Sequence, residues 1–522
     1  MIDNGSTDNF RIGQPGGNLS GMGRSETTGR HVVVFAETED APQQLLRDAG
    51  LNRVVDSRDL GEGMDVSAAG GADAIVFHNL NIAVVSAEVG QLAALQTSTA
   101  RAGAVLSVSP ELIHHVLAPT LPEELTAAYR LVVGDLSQHM QLGDAPEPPP
   151  AAPPYFRDTD EYTWGLQAVR AISSPYSGKG VKVAVLDTGF DLEHPDFAGR
   201  SVTVQSFIEG EDPQDGHGHG THCIGTSCGP RTPGMGRRYG IAYEAEIYAG
   251  KVLSNEGSGS DAQVLAGMSW AIDQGCAVIS MSLGADVAEI HPPYTAAGRR
   301  ALDQGSLIVA AAGNNADRVN GNFGFVGSPA NSSYIMAVGA LTQQLDVAFF
   351  SARTLDVNGG QVDVAGPGFQ VYSSWPMPQR YNTISGTSMA TPHAAGVAAL
   401  LAEKTGYRGR ELWSEIVQNA RRLLAPSVDV GAGLVIAPQK KRGHAMKNIT
   451  VTVDDSYLAA MGDVVEQLRA HGMRVDQVLY SVGIITGRAP DQECSTLGAV
   501  KGVGSVDEQQ RFRVPHPDSE IQ

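Results

Sequence analysis

VKVAVLDTG, residues 181–189, is an apolar run closed by an acid, a hydroxyl and a glycine. Only Lys182 interrupts it before Asp187. A run without polar alternation suits a strand buried on both faces, as in a parallel sheet. Three more runs share that character: Ala277–Met281 (AVISM), Leu307–Ala312 (LIVAAA) and Ile335–Gly339 (IMAVG). Helix-like stretches lie between them at Gly220–Thr226, Ala262–Gln274 and Thr391–Glu403. This alternation predicts an α/β domain over 159–440 with a doubly wound, mostly parallel sheet. Ligands of such sheets sit beyond the carboxyl ends of the strands, which is where Asp187 falls.

Smaller units flank this domain. Residues 1–29 are rich in Gly, Ser, Asn and Asp and read as a flexible tail. Over 30–118 the expected order is strand His31–Ala36, helix Gln43–Gly50, strands Asp73–Phe77 and Ile82–Ser86, helix Gln91–Thr97 and strand Ala104–Val108. That β-α-β-β-α-β order is the ferredoxin-like arrangement. Residues 119–158 read as a linker, since DAPEPPPAAPPY (144–155) is extended and semi-rigid. Over 447–514 the order recurs: strand Ile449–Val453, amphipathic helix Leu458–His471, strands Val475–Tyr480 and Gly483–Thr486, a helix near Ser495–Val500 and strand Val503–Asp507. Met461, Val464, Val465 and Leu468 share one face of the longer helix. Residues 515–522 form a tail.

Bulk properties narrow the function classes. The 522 residues carry a formal net charge of -20, which repels phosphate backbones and excludes nucleic acid as an expected partner. Hydrophobic residues make up 42% and charged residues 18%, an ordinary globular balance, so the chain is long enough for several packed domains. Four cysteines, Cys223, Cys228, Cys276 and Cys494, are too few for a disulfide framework and are expected as free thiols. The N-terminus lacks a basic head with an apolar run, and no stretch reaches membrane-spanning length. No membrane partner is expected. A cytoplasmic location is the default expectation, with export by another route as the alternative.

Three glycine-flanked segments carry chemistry. Asp187 closes the opening strand; His219 lies in DGHGHGTHCIG (215–225) at an expected helix start; Ser388 lies in GTSMATPH (386–393), ahead of a helix expected to begin near Pro392. A serine hydroxyl needs an adjacent base, imidazole has the pKa for it, and a carboxylate fixes the imidazole tautomer. An Asn of AAGNN (311–315) offers a side-chain N–H₂ to a developing oxyanion, with the Ser388 backbone N–H as a second donor.

The segments DTG, HGTH, AAGN and GTSMATPH, in the order Asp, His, Ser, resemble the subtilisin family of serine peptidases. The likeness covers roughly 159–440. It implies a serine endopeptidase acting on peptide or protein substrates through an acyl-enzyme, with catalytic residues Asp187, His219 and Ser388 and the oxyanion donor Asn314. It selects His219 over His217 and His222, which keep packing roles. Cys223, following HGTH, is similar to the proteinase K-like branch. The resemblance implies that substrate adds as a strand between Gly257–Gly259, including Ser258 and Gly259, and Ser282, Leu283 and Gly284, with Ala311 and Gly313 walling the first specificity pocket. Asp261 departs from the family by placing an acid near the pocket for the fourth substrate residue. It favours a polar or basic group there, against the plainer reading of a solvated loop acid. Asp196, in HPDF, matches a position that often holds calcium in the family. Its partner loop, TSCGPRTPGMGRRYG (226–240), is basic and lacks calcium-loop character, so no cofactor or metal is expected to be required and calcium is left to other positions.

The segment 91–111 resembles the family's inhibitory propeptides, which implies a self-inhibited, self-processing precursor with the cut somewhere in 112–158. The C-terminal unit, with its tail RFRVPHPDSEIQ (511–522), reads as a second inhibitor-like domain, a recruiting module or a packing appendage. Two other functions stay open. One is a dedicated intracellular maturation protease. The other is a catalytically silent binding protein, which the intact Asp187, His219, Ser388 and Asn314 argue against.

Overall fold

A computed structural model describes residues 26–37, 42–60, 71–117, 156–355, 359–440, 446–490 and 494–509. The chain forms two compact units, 1–438 and 439–522. The expected linker (119–158) up to residue 155, most of the N-terminal tail and the 511–522 tail fall outside the described residues.

The first unit opens with β1 (Thr27–Phe35), α1 (Pro42–Asp48), β2 (Val54–Asp56), β3 (Ala74–Phe77), β4 (Ile82–Val85), α2 (Val89–Ala102) and β5 (Val105–Val116). The expected tail is therefore shorter than 1–29, because Thr27 already pairs with Leu112. The sheet order is β5-β1-β4-β3-β2, antiparallel except for the edge pair β2–β3. Side chains alternate across β1. Val32 and Val34 join the core under the larger domain, while Val33 and Phe35 face a separate small core with Leu46 and Leu95. Burial on both faces explains the unbroken apolar run in HVVVFA.

The larger domain supplies β6 (Lys182–Asp187), β7 (Val202–Ser206), α3 (His219–Cys228), β8 (Glu246–Lys251), β9 (Ser258–Ser260), α4 (Asp261–Asp273), β10 (Val278–Met281), β11 (Leu283–Gly284), α5 (Pro292–Asp303), β12 (Leu307–Ala311), β13 (Met336–Leu341), β14 (Val364–Pro367), β15 (Val371–Ser374), β16 (Tyr381–Ile384), α6 (Thr387–Thr405) and α7 (Gly409–Asn419). Its sheet has seven parallel strands in the order β14-β13-β12-β10-β6-β8-β7. Val183, Val185, Val309 and Val338 face one core with Cys223, Ile224 and the buried side of α6. Ala184, Leu186, Ile279 and Ile308 face the other, with α4, α5 and the N-terminal sheet. Two-sided burial is the condition under which parallel strands read as continuous apolar runs.

The sequence reading passed over β7, β8 and β14. It also began the Ser388 helix too late: α6 starts at Thr387 and holds Pro392 inside it.

The second unit contains β17 (Met446–Val453), α8 (Met461–Ala470), β18 (Arg474–Leu479), β19 (Ile484–Pro490), α9 (Cys494–Gly498) and β20 (Val503–Glu508). Its antiparallel sheet runs β18-β19-β17-β20, and Met461, Val464, Val465 and Leu468 pack on it as their spacing predicts. No helix among the described residues is long and apolar enough to cross a membrane.

Candidate active site

Asp187 is the last residue of β6, hydrogen-bonded between β10 and β8, and it is buried. Its Oδ1 accepts from the Thr188 N–H at 2.8 Å and lies 2.8 Å from His219 Nδ1. A carboxylate only accepts, so Nδ1–H donates and Nε2 is left to take a proton. His219 Nε2 is buried with no partner among the described residues. Burial disfavours imidazolium, but the Asp187 carboxylate outweighs it and holds the His219 pKa well above its usual range.

His219 begins α3, and the turn before it is built on Asp215. That carboxylate accepts from the backbone of His217 (3.0 Å), Gly218 (2.8 Å) and Thr221 (2.8 Å) and from Thr221 Oγ1 (2.7 Å). Thr188 Oγ1 donates to Asp215 at 2.9 Å and accepts from Gly220 N–H at 2.9 Å, tying the turn to the end of β6. Gly218 has φ 104°, and a Cβ there would stand 2.4 Å from the Trp375 ring. Any larger residue would move His219.

Ser388 is the second residue of α6. Pro392 has no N–H, so the carbonyl four residues back, that of Ser388, loses its helical partner. Ser282 Oγ donates to it instead at 2.8 Å, with the Cys223 thiol at 3.6 Å. The Ser388 hydroxyl lies 3.1 Å from the Leu117 carbonyl and 3.2 Å from that of Ser282. Asn314 Oδ1 accepts from Thr387 N–H at 2.9 Å and Thr387 Oγ1 at 3.0 Å. This fixes the amide, and Nδ2 donates to the Leu117 carbonyl at 2.7 Å. A Cβ at Gly386 would stand 3.2 Å from that same oxygen.

Leu117 arrives on β5, which runs antiparallel between β9 and β11. His115 lies opposite Ser258, His114 opposite Gly259, and Val116 opposite Leu283. Val116 N–H donates to Gly257 O at 2.9 Å. A Cβ on Gly284 would meet Leu117 Cδ1 at 3.3 Å, so the Leu117 side chain rests against that glycine. Ala311 closes β12, and Gly313 N–H donates to Thr387 Oγ1 at 3.2 Å. The structure thus gathers Ser388, Asn314 and the segments around Ser258–Gly259 and Ser282–Gly284 about one strand, and the Asp187–His219 pair reaches Ser388 through Cys223, whose Sγ lies 3.9 Å from His219 Nδ1 and 3.6 Å from the Ser388 carbonyl oxygen. His217 packs edge-on to His219, its pKa lowered by burial and by that neighbour. His222 is buried with Nε2 3.0 Å from Val371 O, and burial pushes it down to about 3.

Several participants escaped the sequence reading. Asp261 is no solvated loop acid: it is fully buried at the start of α4. Asp215 and Glu111 lay inside the segments 215–225 and 91–111 without being given a role, and Leu117 lay in no motif.

The family model described as "Subtilase family" matches residues 178–441. Thermitase of Thermoactinomyces vulgaris is 40% identical over 252 residues, covering 48% of this chain and 85% of that protein. Subtilisin DY of Bacillus licheniformis is 37% identical over 245 residues (46% and 82%). Subtilisin Savinase of Lederbergia lenta is 38% identical over 291 residues (53% and 98%).

Two outcomes test this geometry. Ser282→Ala strands the Ser388 carbonyl and is expected to destabilise the uncut Ser388→Ala chain by about 1–3 kcal/mol in denaturant unfolding; unchanged stability would show that the carbonyl does not need this donor. Donor atoms of Asp187, His219 and Cys223 lie within 4.8 Å of one another. Mercuric ion is therefore expected to inhibit peptide hydrolysis, and Cys223→Ala to relieve most of that inhibition; equal inhibition of both proteins refutes a role for this thiol.

Proposed function

The chain belongs to the subtilase family and is a subtilisin-like serine endopeptidase, and from that premise we propose that it is made as a self-inhibited precursor that cuts its own Leu117–Ala118 bond. One observation carries the proposal: the Leu117 carbonyl oxygen is shared by Asn314 Nδ2 and the Ser388 hydroxyl. In this reading Ser388 Oγ attacks the Leu117 carbonyl carbon while its proton passes to His219 Nε2. Asn314 and the Ser388 N–H meet the charge that develops on oxygen, and Asp187 stabilises the imidazolium. Collapse breaks the C–N bond, the Ala118 nitrogen takes the proton from His219, and water then hydrolyses the ester on Ser388.

The sheet order β5-β1-β4-β3 supports a ferredoxin-like propeptide carrying one extra edge strand, and β20-β17-β19-β18 supports the same arrangement in the C-terminal unit. The position of Cys223 beneath Ser388 supports the proteinase K-like variant. After the cut, the strand ladder and the shared core would keep the N-terminal piece in the cleft as a product-like inhibitor. Intact mass of wild type beside Ser388→Ala tests this. Wild type is expected to yield fragments 1–117 and 118–522, and the variant to stay whole. A dominant self-cut at another bond would overturn the assignment of Leu117–Ala118, and no cut at all would overturn self-processing. Asp187→Asn is expected to slow processing about 10⁴-fold.

We further propose that Asp196 does not hold calcium. Its oxygens already accept from Arg380 Nη2 (3.0 Å), Gly234 N–H (2.9 Å), Tyr239 OH (2.7 Å) and Tyr381 OH (2.9 Å). A guanidinium cation thus occupies the acid, and the surrounding groups are donors where a cation needs oxygen acceptors. The rise in unfolding temperature from chelator to millimolar calcium is expected to be the same for wild type and Asp196→Asn, and a rise that only the variant loses would mean that the proposal is wrong. A site of micromolar affinity would add about 4 kcal/mol.

A further inference from the structure

Asp261, the first residue of α4, is fully buried against β5. Its Oδ1 accepts from Tyr294 OH at 2.8 Å and lies 2.7 Å from His114 Nε2. Its Oδ2 accepts from the Leu112 backbone N–H at 2.7 Å and lies 3.0 Å from His291 Nε2. Each oxygen has two donors, the full capacity of a carboxylate. His291 and Tyr294 belong to the start of α5 and stay with the enzyme. The other two donors come from β5 and leave with it.

His114 is the fourth residue before the Leu117–Ala118 bond, counting Leu117 as the first. It is fully buried, and its ring stands edge-on to Tyr294 with centroids 5.4 Å apart. Its Nδ1 is buried with no partner among the described residues. The ring nitrogen Nε2 thus meets one open acceptor position on Asp261, which takes a single N–H.

We propose that this pocket selects histidine at the fourth residue ahead of the cut, with Asp261 reading its Nε2–H. The inference rests on the peptidase reading of the same cleft and names its substrate class. An apolar side chain in place of His114 would leave the Asp261 oxygen without the donor that Nε2 supplies, which is the costly case for a buried polar group. A lysine ammonium brings three donors to one open position and leaves the rest unmet. The neighbouring positions ask less. The His115 side chain is half exposed, so the third residue is unrestricted. Val116 touches Gly257 and Leu117 touches Gly284, so small glycine walls take branched apolar groups in the second and first positions. The favoured substrate reads His-Xaa-Val-Leu, a narrower class than a digestive peptidase takes.

The experiment compares acetylated tetrapeptide p-nitroanilides, His-Ala-Val-Leu against Phe-Ala-Val-Leu and against the peptide whose histidine is methylated on Nε2, with the processed enzyme separated from its N-terminal fragment. The histidine peptide is expected to lead in kcat/KM by roughly 100-fold, and methylation to remove that lead. Asp261→Leu is expected to reverse the ranking. Equal or faster cleavage of the phenylalanine peptide by wild type overturns the proposal. If no peptide is cleaved, the peptidase reading fails instead, and the pocket is decided on the uncut Ser388→Ala chain. There His114→Phe and Asp261→Leu should each lower the unfolding temperature, and the double variant should fall less than the two together. Strict additivity would mean that the two side chains do not read one another.

Discussion

An exchange of carboxylates between β5 and α4 sets where everything else in the cleft lies. Glu111, fully buried on the strand, accepts from the Ala262 N–H at 3.0 Å, from Arg30 Nε at 2.6 Å and Nη2 at 2.8 Å, and from the Thr28 hydroxyl. Asp261, on the helix, accepts in return from the Leu112 N–H. Each side thus satisfies a backbone donor of the other with a charge that has nowhere else to go. A strand has a side-chain period of two, so a slip of one residue would turn Glu111 and His114 out of their pockets together. The buried charges specify the same register as the apolar side chains of the strand, which a slip of one residue would also turn to the wrong face. Five residues further on, that register delivers the Leu117 carbonyl to Asn314.

The parts of this molecule that the sequence made legible are those governed by local rules. The apolar runs at 182–187, 278–281, 307–311 and 336–341 are buried on both faces, and their composition says so. The glycine-bound motifs around Asp187, His219 and Ser388 are tight because backbone must approach backbone there, as the Trp375 ring shows for Gly218. What escaped was set at long range. β8 ends in Lys251, a buried lysine whose Nζ donates to Thr188 O at 2.6 Å and Asn255 Oδ1 at 2.8 Å, so a charged residue hides a central strand. β14 holds Gly366 and Pro367, which read as chain breakers. β7 is an edge strand that is only partly buried. Pro392 marks a helix start by the local rule, yet α6 begins five residues earlier because Ser282 and Cys223 supply the donors that proline removes.

β5 shows the same division most clearly. Its first residues alternate as a strand should and were read as one. Its last six, Glu111 to Val116, mix a buried acid, a buried histidine and an exposed histidine, a pattern that suggests a loop. Their strand character comes from β9 and β11, well over a hundred residues away, and from partners no periodicity displays.

The pairing of β5 with the cleft also couples two properties that are usually separable. A propeptide inhibits by holding on, and a specificity pocket acts by preferring one side chain. If the chain cuts itself after Leu117 as proposed, the same contact does both, because His114, which fills the Asp261 pocket, is the fourth residue ahead of that bond. A change that relaxes the pocket, such as loss of the Asp261 carboxylate, removes the partner of His114 and the anchor of the Leu112 N–H in one step. The strand is then held by Glu111, the ladder and the shared apolar core alone. Relaxed specificity and weakened restraint therefore arrive together. On the same proposal, a substrate that suits the pocket resembles the segment lying in the cleft, so the cleft would open through removal of the N-terminal domain more readily than through a better ligand.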